Sequence, residues 1–147
     1  MHMRQSGRGN WIIVALVAIV LAIAALVVFA GETPTAAAKK FMRALSRQDA
    51  EALADMSFYD PPRPREEVVA SWKRTLKLSE HYIFAWQIKN SKSPVKGRAT
   101  VSMDFIRDAS KGTSYPEIFP LDLIQKDGKW MVDVRALSRE MYPALPR

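Results

Sequence analysis

Apolar and polar side chains alternate in three different ways along the chain. From Trp11 to Ala30 the sequence reads WIIVALVAIVLAIAALVVFA, twenty residues without a charge, a Pro or a Gly. A hydrocarbon core of about 30 Å takes roughly 20 apolar residues, and in lipid the backbone satisfies its own polar groups as a helix. The pattern predicts one transmembrane helix over 11–30, acting as a signal anchor. From Pro34 to Leu78 the apolar residues recur at spacings of three and four, and from Tyr82 onwards at a spacing of two.

The middle stretch reads as three helices. Thr33 is placed to cap the first, and Pro34 fits a first helical position, where its missing N–H costs nothing. Ala38, Phe41 and Leu45 form an apolar stripe, while Lys39, Lys40, Arg43 and Arg47 fall on the other side, so the helix is amphipathic and ends near Arg47. Asp49 is placed to cap a second helix, Ala50 to about Ser57, with Leu53 and Met56 on its apolar face. Pro61, Pro62 and Pro64 break the chain. A third helix follows over about Arg65–Leu78. Val68 or Val69, Trp72 and Leu76 make its buried stripe, and Glu66 and Glu67 sit in the first turn, where the helix dipole favours an acid.

Four strands complete the pattern. Tyr82, Phe84, Trp86 and Ile88 alternate in the first, and Asn90–Pro94 is expected to turn the chain. Ala99, Val101, Met103 and Phe105 alternate with Arg98, Thr100, Ser102 and Asp104 in the second, followed by a turn over Asp108–Gly112. Phe119, Leu121 and Leu123 mark the third, where Pro116 and Pro120 argue for an edge or a bulge. Asp127-Gly128 is a hairpin signal, and Trp130, Val132 and Val134 mark the fourth strand. The expected fold is α+β: an N-terminal transmembrane helix, then about three helices packed on a curved, cone-like, four-stranded antiparallel sheet. The expected divisions are a short basic head over 1–10, the span over 11–30, a linker over 31–33, a folded domain over 34–137 and a tail over 138–147 that lies on the surface or frays.

Charge and composition narrow the functional classes. Lys and Arg number 22 against 15 Asp and Glu, a net charge of +7. The basic residues are dispersed, without a run or a recognition motif, so the charge does not point to nucleic acid; it suits an anionic lipid surface, an acidic partner or plain solubility. The absence of Cys excludes a disulfide framework, a thiolate metal site and a Cys nucleophile. His2 and His81 are the only histidines and lack zinc-ligand spacing, so neither a metal nor a cofactor is expected. Arg4 and Arg8 favour a cytoplasmic head and an extracytoplasmic body in a single-pass membrane protein, although Lys39, Lys40, Arg43 and Arg47 compete beyond the span. Cleavage near Ala30 as a signal peptide is the alternative, but the run exceeds the 7–15 residues or so of a signal h-region.

Three segments in order resemble the nuclear transport factor 2-like (cystatin-like) superfamily. They are the opening helix Ala38-Lys39-Lys40-Phe41-Met42-Arg43-Ala44-Leu45, the break and short helix Ser46-Arg47-Gln48-Asp49-Ala50-Glu51-Ala52-Leu53, and the closing hairpin Lys126-Asp127-Gly128-Lys129-Trp130-Met131-Val132. The resemblance implies a strongly bent sheet wrapped around the first helix, forming a cone that holds a pocket in some members. It implies a wide range of functions: isomerase- and cyclase-like enzymes, transport and dimerisation modules, and envelope proteins with one span before the domain.

An isomerase-like site needs a carboxylate base facing the cone interior. The strand acids Asp104, Asp122 and Asp133 fall out of phase with the apolar face, so no catalytic constellation is visible and the protein is not expected to be an enzyme. The inward set is Trp72, Tyr82, Phe84, Trp86, Met103, Phe105, Phe119 and Trp130, either a packed core or the wall of an apolar pocket. Lys39, Lys40, Arg43 and Arg47 are candidate contacts to lipid headgroups. The expected function is a membrane-anchored, non-catalytic interaction or assembly domain of a bacterial cell envelope, with a protein partner or self-association. Binding of a lipid or other apolar small molecule in the cone is the alternative, followed by an isomerase- or cyclase-like activity.

Overall fold

A computed structural model of the chain describes residues 8–29, 31–107, 109 and 115–146. The chain divides into two compact units, the first reaching Gly31 and the second starting at Glu32.

The first unit holds helix α1, Arg8–Phe29. Its described side chains, over 11–25, are all exposed. They run for about 22 Å at 1.5 Å per residue, against a hydrocarbon core of about 30 Å. Among the described residues no helix is long and apolar enough to cross a membrane. The transmembrane helix expected over Trp11–Ala30 is thus not established, its last five side chains lying outside the described residues. The charges of Arg4 and Arg8 and the cleavage position at Ala30 also lie outside them.

The second unit contains α2 (Pro34–Ser46), α3 (Ala50–Asp55), β1 (Ser57–Phe58), α4 (Arg65–Leu78), β2 (Ala85–Val95), β3 (Arg98–Ile106), β4 (Glu117–Lys126) and β5 (Lys129–Asp133), then a short 3-10 turn over Val134–Ala136. Both expected caps are made. The Ala36 N–H donates to Thr33 Oγ1 at 3.2 Å, and the Ala52 N–H donates to Asp49 Oδ1 at 3.0 Å.

The sheet has five strands in the order β1-β5-β4-β3-β2, where four antiparallel strands are expected from the sequence. It is mixed, because β1 runs parallel to β5, pairing Ser57 with Val132. Two residues carry no period, which is why β1 leaves no trace in the pattern; it follows directly on a helix that stops at Asp55 rather than near Ser57. Its anchor is chemical. Ser57 Oγ donates to the Leu53 carbonyl at 2.6 Å and accepts from Trp72 Nε1 at 2.8 Å, tying β1 to α3 and α4.

Other boundaries move: β2 begins at Ala85, so Tyr82 and Phe84 precede the strand expected to hold them, and β5 ends at Asp133, so Val134 falls in the 3-10 turn. Asn90–Pro94 does not turn the chain: β2 continues through it to Val95, entirely exposed, with register shifts at Ile88/Asn90 and Lys92/Val95. The turn falls on Lys96-Gly97, where Gly97 supplies a φ of +81°. Pro120 lies in an interior strand, but β4 pairs with β5 only from Leu123 onwards, so at Pro120 the sheet is locally an edge. The hairpin at Asp127-Gly128 forms as expected, with φ of 52° and 76° closing Lys126 against Lys129. The turn expected over Asp108–Gly112 lies, except for Ala109, outside the described residues.

The core forms where one face of α2 (Phe41, Met42 and Leu45) meets the inner face of the sheet (Val101, Met103, Phe105, Leu121, Leu123 and Val132), all buried. The tail joins it: Leu137, Met141, Tyr142 and Leu145 are buried too. Three side chains hold its backbone. Thr75 Oγ1 donates to the Ala144 carbonyl at 2.6 Å, Ser79 Oγ to that of Pro143 at 3.1 Å, and the Tyr82 hydroxyl to that of Met141 at 3.1 Å. Four apolar residues therefore dock a segment expected to lie on the surface or fray.

Candidate functional site

The aromatic residues of the inner face pack ring against ring. Phe84 stacks on Phe105 at 5.1 Å, and Phe119 meets Phe105 edge-on at 5.7 Å. Tyr142 from the tail closes the row, edge-on to Tyr82 at 5.3 Å and to Phe84 at 5.6 Å. Trp72 lies on the far side of the same core, edge-on to Phe41 at 5.8 Å. Such pairs add to the area they bury, so this row is held by its own contacts. Trp72, Met103 and Phe105 are fully buried and Phe119 nearly so, while Tyr82, Phe84 and Trp86 are half-buried toward the outer strand. Trp86 Nε1 donates to Ser46 Oγ at 3.1 Å. Burial lifts the Tyr142 phenol above its ordinary range, against the opposing effect of its hydrogen bond with Ser79.

The strand acids lie away from this row. Asp104 accepts from Lys89 Nζ at 3.5 Å, Asp122 accepts from Thr100 Oγ1 at 2.6 Å, and Asp133 caps the 3-10 turn through the Arg135 N–H at 3.2 Å. His81 is exposed beside Glu80, 3.3 Å away. Among the described residues no group of three His, Asp or Glu side chains is placed to hold a metal ion.

Trp130 has a different setting from the other seven residues of the inward set. Buried at the start of β5, it lies at the base of an open cleft of about 470 Å³ between α2, α3 and the β4–β5 hairpin. Ala44 and Met56 share the apolar base with it. Lys40, Arg43 and Arg47 line one wall, one helical turn apart along α2, and Lys129 stands on another. Lys39 is exposed but points outside this lining.

The three carboxylates of the cleft are already engaged. Glu32 pairs with Lys40 at 2.5 Å, and Asp49 caps α3. Asp55 is gripped by Arg65, whose Nε and Nη2 donate at 2.7 and 3.3 Å. Those hydrogen bonds, with smaller help from the charges of Arg65 and Lys129, hold the Asp55 carboxyl below its ordinary range. The guanidinium groups of Arg43 and Arg47 have no carboxylate or hydrogen-bond partner among the described residues. The sequence pattern singled out Lys40, Arg43 and Arg47 by helical spacing. It could not join Lys129 and Trp130 to them, because only the fold brings the hairpin beside α2.

The sequence matches no family model, and no curated relative is found. Solved structures do resemble the fold. A chain from Thiobacillus denitrificans assigned as a calcium/calmodulin-dependent protein kinase type II association domain is 13% identical, with a TM-score of 0.50 over 69% of this chain and 90% of that one. A ketosteroid isomerase-like protein from Erwinia carotovora atroseptica is 21% identical, with a TM-score of 0.47 over 67% of this chain and 86% of that one. An NTF-2 like protein of unknown function from Shewanella oneidensis is 17% identical, with a TM-score of 0.48 over 65% and 88%. At these identities a likeness concerns the fold alone. What this chain and the Thiobacillus structure share is thus a fold, and this chain's own is α+β with helices packed on a mixed five-stranded sheet.

Proposed function

We propose that this chain is a membrane-tethered, non-catalytic interaction domain of a bacterial cell envelope, its body on the extracytoplasmic side. The observation that carries this reading is the occupied interior. Phe84, Phe105, Phe119 and Tyr142 fill one another's space, and Asp104, Asp122 and Asp133 are committed elsewhere. An enolising enzyme of this architecture needs a carboxylate inside the cone, so the acids' placement weighs against that activity. The tether is supported by the uncharged run from Trp11 to Ala30 in the sequence.

Function then lies on the body's surface, through assembly with a protein partner or a second copy. The test is cross-linking of the tagged full chain in intact cells, followed by alkaline carbonate washing of the membranes. The expected result is retention in the washed membranes and one discrete cross-linked species. A freely soluble, uncross-linked monomer contradicts the proposal. The second reading, an apolar small molecule in the cone, draws on the half-buried edge formed by Tyr82, Phe84 and Trp86.

A further inference from the structure

We infer that the cleft between α2, α3 and the β4–β5 hairpin binds an anionic group carried on an apolar body, chemistry shared by a bilayer phospholipid and a soluble lipid monomer. This deepens the proposed function by naming a ligand class, and it rests on the reading of the body as a binding domain rather than on the tether.

Three observations converge on it. The first is charge that the protein leaves unmatched. Four cations line the cleft against three carboxylates, and Glu32, Asp49 and Asp55 are each committed to a partner of their own. Arg43 and Arg47 are left facing the cleft without one among the described residues. A planar guanidinium offers paired donors that suit the oxygens of a phosphate or carboxylate, and two of them one turn apart can grip one headgroup from two directions. The second observation is the base of the cleft. Ala44, Met56 and Trp130 give it an apolar surface that a bare inorganic anion would leave wet, whereas an acyl or glycerol segment would cover it. Trp adds an amphipathic ring of the kind that sits where apolar and polar parts of a lipid meet. The third is size, about 470 Å³, within the usual range of small-molecule sites.

The arrangement also says what the cleft rejects. A zwitterionic headgroup brings a cation toward Arg43, Arg47 and Lys129, so phosphatidylcholine is the natural negative control. The experiment titrates dihexanoylphosphatidylglycerol into the full chain in a neutral detergent, followed by calorimetry. Saturable binding is expected, with dihexanoylphosphatidylcholine weaker by at least about tenfold. The triple variant Arg43→Gln, Arg47→Gln, Lys129→Gln is expected to lose at least about tenfold in affinity, the size of one lost charge-assisted contact. All three positions are exposed, so the melting midpoint of the variant should match the parent and separates lost binding from lost folding. Equal binding of the two lipids, inorganic phosphate binding as well as the lipid, or parental affinity in the triple variant overturns the inference.

The full chain in nanodiscs then separates the two sources. If bilayer lipid fills the cleft, the soluble probe binds more weakly in discs containing phosphatidylglycerol than in discs of phosphatidylcholine. If a lipid monomer is the ligand, the two affinities agree. Both results uphold the site. Retention of the chain in carbonate-washed membranes is read separately and does not depend on Arg43, Arg47 or Lys129, so the tether and the cleft can fail independently.

Discussion

The interior row and the basic cleft flank the same helix, α2, and follow opposite rules. On the inner side, apolar surface is covered and polar atoms are matched: Trp72 Nε1 finds Ser57, Trp86 Nε1 finds Ser46, and the tail carbonyls find Thr75, Ser79 and Tyr82. On the cleft side, Arg43 and Arg47 stand unmatched above an apolar base. At the second place two unpaired guanidiniums stand together beside a buried Trp. The contrast teaches where to look for function: burial and satisfaction mark the region that holds the fold, and unmatched charge marks the region free to bind.

Substitutions can break this contrast, and the largest effect belongs to the interior. Trp72→Ala removes a fully buried ring together with the hydrogen bond to Ser57, so a loss of about 3–5 kcal/mol is expected in urea unfolding. Tyr142→Ala is expected to cost about 3 kcal/mol, because its ring joins Tyr82 and Phe84 and its segment is pinned by three hydrogen bonds. A tail that merely rests on the surface would lose under about 0.5 kcal/mol. Ser57→Ala leaves the Trp72 indole N–H buried without its acceptor, and about 1–3 kcal/mol should be lost.

Smaller effects sharpen the comparison. The Tyr59 hydroxyl is buried with no hydrogen-bond partner among the described residues. Tyr59→Phe should therefore leave stability unchanged or raise it, the opposite of Ser57→Ala. Its phenol is lifted above the ordinary 10.0 by burial, against the opposing charges of Arg63 and Arg135. The folded state thus holds that proton more tightly than the unfolded chain does. Its contribution is fully present below pH 10 and falls away as the pH rises beyond it, so Tyr59→Phe should flatten the alkaline limb of a stability–pH curve. Smallest of all is the paired change Arg43→Gln, Arg47→Gln, expected to alter stability by less than about 0.5 kcal/mol while weakening anionic lipid binding.

Much of this fold is legible in the sequence because the signals are local. Thr33-Pro34 and Asp49 start their helices, Asp127-Gly128 turns its hairpin, and the alternation from Ala99 to Phe105 defines the buried face of β3. Features set by distant contacts are not legible. The two residues of β1 become a strand only because Val132 lies beside Ser57. The polar stretch after Ile88 stays extended because β3 pairs with it, although it has no apolar period of its own. The tail is buried because a row of aromatic rings receives Tyr142. The cleft is half legible: helical spacing marks Lys40, Arg43 and Arg47, whereas Lys129 and Trp130 join them only once the hairpin closes. Trp130 alternates in phase with a core strand, which is why it reads as part of the interior.

The tryptophans give the most direct test of the division between a closed interior and a binding cleft. Indole N–H resonances of the full chain are followed by NMR in neutral detergent while dihexanoylphosphatidylglycerol is added. The Trp130 signal should shift with saturation, and the Trp72 and Trp86 signals should stay in place. A Trp72 or Trp86 signal that moves while Trp130 stays still would put the ligand in the cone and contradict the account.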